Sequence, residues 1–406
     1  MPDTLDVALG GHVIGDLTRT RTGARFQYRP EVAQREPGVP LLWAALPVSS
    51  SPFSPEATAS WFTGLLPEDR QRDEVLRRFA LAAGTYFDLL REIGWECAGA
   101  VTIGAPAGAG EYLALGDADI AARLAALPAH PFDDDRALRV SLGGYQAKLL
   151  LTKTGDGWAL PLDGAISTHI LKPQPADRFP QMIAAEAWAM ALAEQITATA
   201  RTSLLLDPEA PPTIVVERFD RTESEHGLAR IHQEDGAQAT GIPPERKSAA
   251  SGTANRRDPT LAAIAEVLAR HSPDPEADLA RLLQQVTINV VLGNTDAHAK
   301  NYGLLHPTPG VIVLSPLYDV VPATFVNPAQ LEMGLRVDGV LRIDRVTRAR
   351  LAAEGTAWGI PGERAEHIVD TVLAAVPDAA AVADTRYPDR PAGLTAHVLG
   401  RLAALA

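Results

Sequence analysis

Two carboxylates, an amide and a histidine stand in this chain in an order that can do chemistry. The run Gly293-Asn294-Thr295-Asp296-Ala297-His298-Ala299-Lys300-Asn301 puts Asp296 five residues before Asn301, with His298 and Lys300 between them. A second carboxylate, Asp319, follows the apolar run Val311-Ile312-Val313-Leu314 in Ser315-Pro316-Leu317-Tyr318-Asp319. One carboxylate can orient a hydroxyl and take its proton. Another, with an amide oxygen, can hold Mg2+ against phosphates, because hard cations prefer oxygen ligands. The spacing is that of a phosphoryl-transfer loop followed by a metal-binding aspartate, although the usual His-Arg-Asp and Asp-Phe-Gly triplets are absent. Asp296, His298 and Asn301 are therefore catalytic candidates, and Asn301 and Asp319 metal candidates. Asp296 or Asn301 alone reads more simply as a loop or cap residue near a helix end; the set carries the chemistry.

Phosphate-binding features lie upstream. In Ser141-Leu142-Gly143-Gly144-Tyr145-Gln146-Ala147-Lys148, two glycines between β-like segments let backbone N–H groups approach a phosphate closely. A plain hairpin would look the same. Lys172 ends a strand before Pro173, and Glu186 follows on a helix starting near Met182. A strand lysine with a helix glutamate is how protein kinases hold the α- and β-phosphates; singly, the two read as surface residues. The segment Val215-Val216-Glu217-Arg218-Phe219-Asp220-Arg221 passes from apolar to polar, as a hinge meeting adenine and ribose would, or as an ordinary strand end.

The elements that must position these residues follow from local signals. Asp6–Leu9 and His12–Ile14 flank Gly10-Gly11, a hairpin turn, and Ala24–Tyr28 alternates as another strand. Ser54-Pro55-Glu56 starts a helical region reaching about Ile93, and residues 104–110 form a linker. A second strand-rich block spans about residues 139–220, interrupted by a helix from about Met182 to Thr197. From Glu245 to Asp258 the chain is polar and rich in small residues, which predicts a mobile loop. Helices then dominate. Leu279, Leu282, Leu283, Val286 and Val290 share one helical face that Gly293 terminates, and further helices cover about Pro361–Ala375 and Ala392–Leu405. The fold class is α+β: a strand-rich α/β N-terminal half and an all-helical C-terminal half. Three regions are expected, 1–104, a nucleotide-binding 105–245, and a helical catalytic 246–406.

The 406 residues are 46% apolar and 21% charged, as in soluble globular proteins. A net charge of -13 argues against direct nucleic-acid binding, which needs a basic surface. A single cysteine, Cys97, excludes an intrachain disulfide or a cysteine-based zinc site and fits a reducing cytoplasm. The acidic N-terminus lacks a secretory leader pattern and no long apolar run occurs, so a cytoplasmic chain without a membrane span is expected.

Taken together, Ser141–Lys148, Thr168–Lys172, Val216–Arg221, His232-Gln233-Glu234-Asp235, Asn294–Asn301 and Leu317–Asp319 resemble, in order and spacing, the HipA family of toxin kinases. Phe87–Gly94 and Ala98–Val101 extend the resemblance to the N-terminal part. It implies a kinase-like two-lobe fold using ATP and Mg2+, with Asp296 as catalytic aspartate and Asn301 and Asp319 on the metal. Gly143, Gly144, Lys148 and Lys172 would meet the phosphates, Glu217, Phe219 and Asp220 would frame adenine and ribose, and Ser141 would be autophosphorylated. The family's partners are a small helix-turn-helix antitoxin of the HipB kind, which reaches the operator DNA, and protein substrates that include aminoacyl-tRNA synthetases. Ala147 stands where the family often has glutamate. Two other readings stay open: a small-molecule kinase on a similar fold, and a non-catalytic scaffold that binds an antitoxin and co-represses an operator.

Overall fold

The computed structural model describes residues 3–405 except 22, 82–84, 105–109, 128–139, 142–145, 156, 176–178, 226, 253 and 256–257. The chain forms two compact units, each assembled from several stretches. The first takes residues 1–175, 205–234 and 305–310; the second takes 176–204, 235–304 and 311–406. The helix expected inside the nucleotide-binding region, Met182–Glu194, thus belongs to the second unit. Among the described residues no helix is long and apolar enough to cross a membrane.

In the first unit the strands Gly23–Tyr28, His12–Thr20, Thr4–Leu9 and Val101–Ile103 lie side by side in that order, all antiparallel. Gly10 and Gly11 turn the first hairpin at φ +56° and +83°, which glycine reaches without steric cost. Ser54 caps the helix Pro55–Gly64 by accepting from the Ala57 N–H, as its sequence predicts. Phe26, Trp43, Trp61, Phe62 and Phe87 fill the core between this sheet and its helices. A second sheet carries, in order, Thr213–Glu217, His169–Pro173, Leu149–Thr154, Gly157–Leu162 and Glu111–Leu115. The helix Asp117–Ala126 covers one face through Ile120 and Leu124 against Leu151, Leu160 and Leu171.

The second unit is mainly helical but not wholly so. The hairpin Glu332–Val337 with Val340–Arg342 corrects the all-helical expectation. The helix Gly362–Arg386 packs against Met182–Glu194, Pro275–Leu292, Arg348–Ala357 and Leu394–Leu405. It runs well past its expected end near Ala375, through Pro377. A mid-helix proline costs about 3 kcal/mol. Val372, Val376, Ala379, Ala380 and Ala383 are buried around it, and burying one valine contributes about 1.5–3 kcal/mol, so packing outweighs the local penalty. The predicted mobile loop is pinned in part. Lys247 accepts from the Ala299 N–H, Ala249 donates to the Gly334 carbonyl, and Arg336 holds the Ala250 and Gly252 carbonyls.

Candidate active site

The helix Pro275–Leu292 is the platform of the metal-and-base cluster. Asp274 caps its start, proline occupies its first turn, and Gly293 ends it in the left-handed region at φ +73°. The expected apolar face is buried. Four polar side chains on the same helix are buried too, and three of them reach outside it. Asp278 accepts from the Leu314 N–H (3.3 Å), Gln285 donates to the Ser315 carbonyl (2.9 Å), and Asn289 accepts from the Asn294 amide (2.8 Å). Buried polar groups persist when hydrogen-bonded. Here the bonds tie the segments on either side of the site to one helix. Polar residues spaced along an apolar helix face were the available sequence signal.

Asp296 is exposed while Asn294, Thr295, Ala297, His298 and Ala299 around it are buried. The backbone explains this. The Asn294 Oδ1 accepts from the Asp296 N–H (3.2 Å), and the Asp296 carbonyl accepts from the His298 N–H (2.7 Å) and from Asn301 Nδ2 (2.9 Å). The strand Glu332–Val337 closes behind the loop: Gly334 donates to the Thr295 carbonyl at 2.8 Å. A Cβ on Gly334 would lie 2.6 Å from the His298 backbone, so only glycine permits this approach. The loop thus holds one carboxylate out of an otherwise buried segment. With the Asn301 NH2 committed, its side-chain oxygen is the ligand-type atom left to face a cation.

The segment that carries the second carboxylate is tied to this loop through its neighbour. Tyr318 donates its hydroxyl to the Lys300 carbonyl (2.7 Å), so the residues adjoining Asp319 and Asn301 are bonded to each other. Leu317 is held on its other side by backbone bonds with Ala198 and Ala200. Asp319 is half-buried and adopts φ +58°, a conformation rare outside glycine, asparagine and aspartate and often found at functional sites. Lys300 lies 4.0 Å from Asp235, whose carboxylate also caps the short helix Gly236–Ala239. The structure therefore places Asp296, His298 and Asn301 on one bonded loop and ties the Asp319 segment to that loop through Tyr318; the carboxylates and the amide offer oxygens, the ligand type a hard cation takes.

The nucleotide-side candidates lie in the first unit. Lys172 is half-buried on a central strand, paired in register with Ile214. Glu217 is exposed at its strand's end, opposite His169, and Phe219 is half-buried. Lys148 is half-buried just before the strand Leu149–Thr154, while Gly143 and Gly144 lie outside the described residues. The Ser141 backbone pairs parallel with Cys97. Glu186, in the second unit, is 1% exposed within an apolar helix, so it is not the solvated residue its position alone suggested.

Asp220 departs from its expected ribose role. It is 2% exposed, and its carboxylate accepts from Arg218 Nε (3.0 Å) and Nη2 (2.8 Å) and from the Gly99 N–H (2.7 Å), with Arg221 Nη1 at 3.0 Å. Glu96 completes the cluster, 3.3 Å from Arg218 and 3.1 Å from Arg221, and accepts from the Ser167 N–H and hydroxyl at 2.8 Å. Burial pushes the Asp220 carboxyl up, but the two guanidinium charges and the Gly99 N–H overcome it and hold it well below the usual carboxylate range. Every oxygen of Asp220 is engaged inside the protein, which leaves no face for a sugar hydroxyl.

Residues 140–380 match the HipA-like C-terminal domain and residues 5–104 the HipA N-terminal domain. The chain is 34% identical over 393 residues to Y4mE of Sinorhizobium fredii, which bears a kinase's name, covering 92% of this chain and 90% of that one. It is 26% identical over 370 residues to the serine/threonine-protein kinase toxin HipA of Shewanella oneidensis, covering 88% and 84%. Against the solved complex of Shewanella oneidensis HipA, HipB and operator DNA, the TM-score is 0.81 at 24% identity, over 99% of this chain and 95% of that one. The expected mixed α+β fold is thus the fold of that protein.

Proposed function

The chain belongs to the HipA family of kinases, and from that premise we propose that it transfers the γ-phosphate of ATP to a serine or threonine hydroxyl of a target protein. The observation that carries this reading is the exposure of Asp296 on a loop whose other residues are buried and bonded, beside Asn301 and the Asp319 segment. Asp296 orients the acceptor hydroxyl and takes its proton. The loop bonds make that orientation rigid, so little reorganisation is left for the reaction. Asn301 and Asp319 fit Mg2+, since an amide oxygen and a carboxylate are hard ligands and leave room for water and phosphate oxygens. Bound there, the cation neutralises phosphate charge. Lys172 and Lys148 with the Gly143-Gly144 loop hold the nucleotide phosphates, and Glu217 and Phe219 meet the base and sugar. His298 acts within the catalytic loop.

Ser141 is the proposed autophosphorylation site, mapped by mass spectrometry after incubation with Mg-ATP. A small helix-turn-helix antitoxin is the proposed partner, as the Shewanella oneidensis HipA occurs in a complex with HipB and operator DNA. The net charge of -13 favours DNA contact through such a partner rather than directly. An aminoacyl-tRNA synthetase is the proposed substrate class. Asp296→Asn tests the assignment: it keeps shape but loses charge and basicity. Transfer should fall by roughly two orders of magnitude or more, the range for losing a general base, while Mg-ATP still binds. Near wild-type transfer by this variant would sink the reading.

A further inference from the structure

The C-terminal helix Leu394–Leu405 turns two polar side chains toward the protein. Leu394, Val398 and Leu405 are buried, and His397 and Arg401 lie between them on the same face, four residues apart. Arg401 donates from Nη2 to the Val290 carbonyl (2.6 Å) and from Nε to the Val291 carbonyl (3.3 Å). These carbonyls belong to the last turn of the helix Pro275–Leu292, where acceptors run short of donors and the helix dipole is negative. One turn earlier, the His397 ring Nε2 lies 3.0 Å from the Thr324 hydroxyl. Thr324 in turn donates its N–H to the Gly293 carbonyl (3.0 Å). A Cβ on Gly293 would sit 2.0 Å from the Thr324 hydroxyl oxygen and 3.1 Å from Arg401 Nε.

One helix face therefore grips two segments. Through Arg401 it holds the helix end from which the loop 294–301 hangs, and the Asn289–Asn294 and Asn294–Asp296 bonds carry that position on to Asp296. Through His397 it holds Thr324, in the short helix Ala323–Val326 that follows Asp319. An apolar residue at either position would dock the helix without the desolvation cost of a guanidinium or imidazole. The choice of polar groups thus needs a reason beyond docking.

We propose that Arg401 and His397 are positioning residues that set Asp296 relative to Asp319 and so govern phosphoryl transfer rather than nucleotide binding. The proposal rests on the reading of Asp296 and Asp319 given above. The test follows ADP formation from Mg-ATP by the full chain over a range of ATP concentrations. Arg401→Met keeps apolar bulk and removes the donors. Its kcat should fall about ten- to a hundred-fold, since an ångström of misplacement costs about that much, with KM for ATP little changed. Arg401→Lys, which keeps a charged donor, should restore part of the loss. His397→Leu should follow Arg401→Met, and His397→Gln, which can still bond Thr324, should not. Val398→Ala is the control: it loosens the docked helix but removes no hydrogen bond to either segment, and should keep kcat well below its melting temperature. Wild-type kcat in folded Arg401→Met overturns the proposal, as does an equal loss in Val398→Ala. If Arg401→Met does not fold, Arg401→Lys and His397→Leu decide by the same criteria. An inactive Asp296→Asn beside a fully active Arg401→Met removes the positioning role alone. A fully active Asp296→Asn removes the site reading and this inference with it.

Discussion

Replacing Asp220 by alanine should cost the first unit about 3–5 kcal/mol, the range for removing one partner of a buried ion pair. The four side chains Glu96, Asp220, Arg218 and Arg221 balance in charge and are almost fully buried. Without Asp220, two buried guanidinium groups face the single carboxylate of Glu96, and the Gly99 N–H loses its acceptor. In a unit of roughly 200 residues each kcal/mol moves the melting temperature by about 2–4 °C, so a fall of roughly 6–20 °C is expected. The double variant Arg218→Met with Asp220→Leu removes one charge of each sign and should cost far less, because an apolar pair of similar volume replaces the ions. Thermal melts by circular dichroism read both variants, and calorimetric ATP titration reads the site. The acid limb gives a further check. The Asp220 carboxyl is held below its ordinary range, so its stabilisation is present above about pH 4 and is lost as the pH falls. An unchanged melting temperature in Asp220→Ala, with ATP affinity strongly reduced, would refute the structural role and restore the ribose role.

Asp319→Ala should weaken Mg-ATP binding far more than metal-free ATP binding, and should also lose stability, because alanine tolerates φ +58° poorly, by about 1–2 kcal/mol. Asp319→Asn should show the same metal dependence with less loss of stability; equal weakening with and without Mg2+ in calorimetry counts against the metal role. A second buried cluster gives a pH prediction. Burial pushes the Glu234 carboxyl up to about 8 and depresses His306 to about 4 and His232 to about 3, so the 2.9 Å His306–Glu234 contact joins neutral groups near neutral pH. The Glu234 contribution is full below about pH 4.3 and is lost as pH rises through about 8, whereas the histidine contributions are full above about pH 6.5 and are lost on acidification. Glu234→Gln should therefore flatten the fall in melting temperature between pH 6 and pH 9, and an unaltered slope would exclude this assignment.

Local signals made much of the fold legible. Gly10-Gly11, Ser54 and Gly293 act through their own backbone and nearest hydrogen bonds, so a turn, a helix start and a helix stop could be read directly. That Asp296 and Asn301 are neighbours was legible in the same way, because they sit on one short loop whose spacing is a property of the chain. Long-range contacts could not be read. Arg218 and Asp220 looked like surface charges at a strand end, since the Glu96 that neutralises Arg218 lies about 120 residues away. The helix expected over about Pro361–Ala375 runs on through Pro377 to Arg386, because packed helices around it offset the proline. Glu186 shows no local sign of being buried, nor Arg401 of bonding a distant helix end, and the left-handed Asp319 adjoins backbone and side-chain bonds at Leu317 and Tyr318. Residue type and spacing determine which groups are available for chemistry. Burial, charge pairing and orientation are set by partners distant in sequence, so only the tertiary structure decided that Asp220 supports the fold while Asp296 faces solvent.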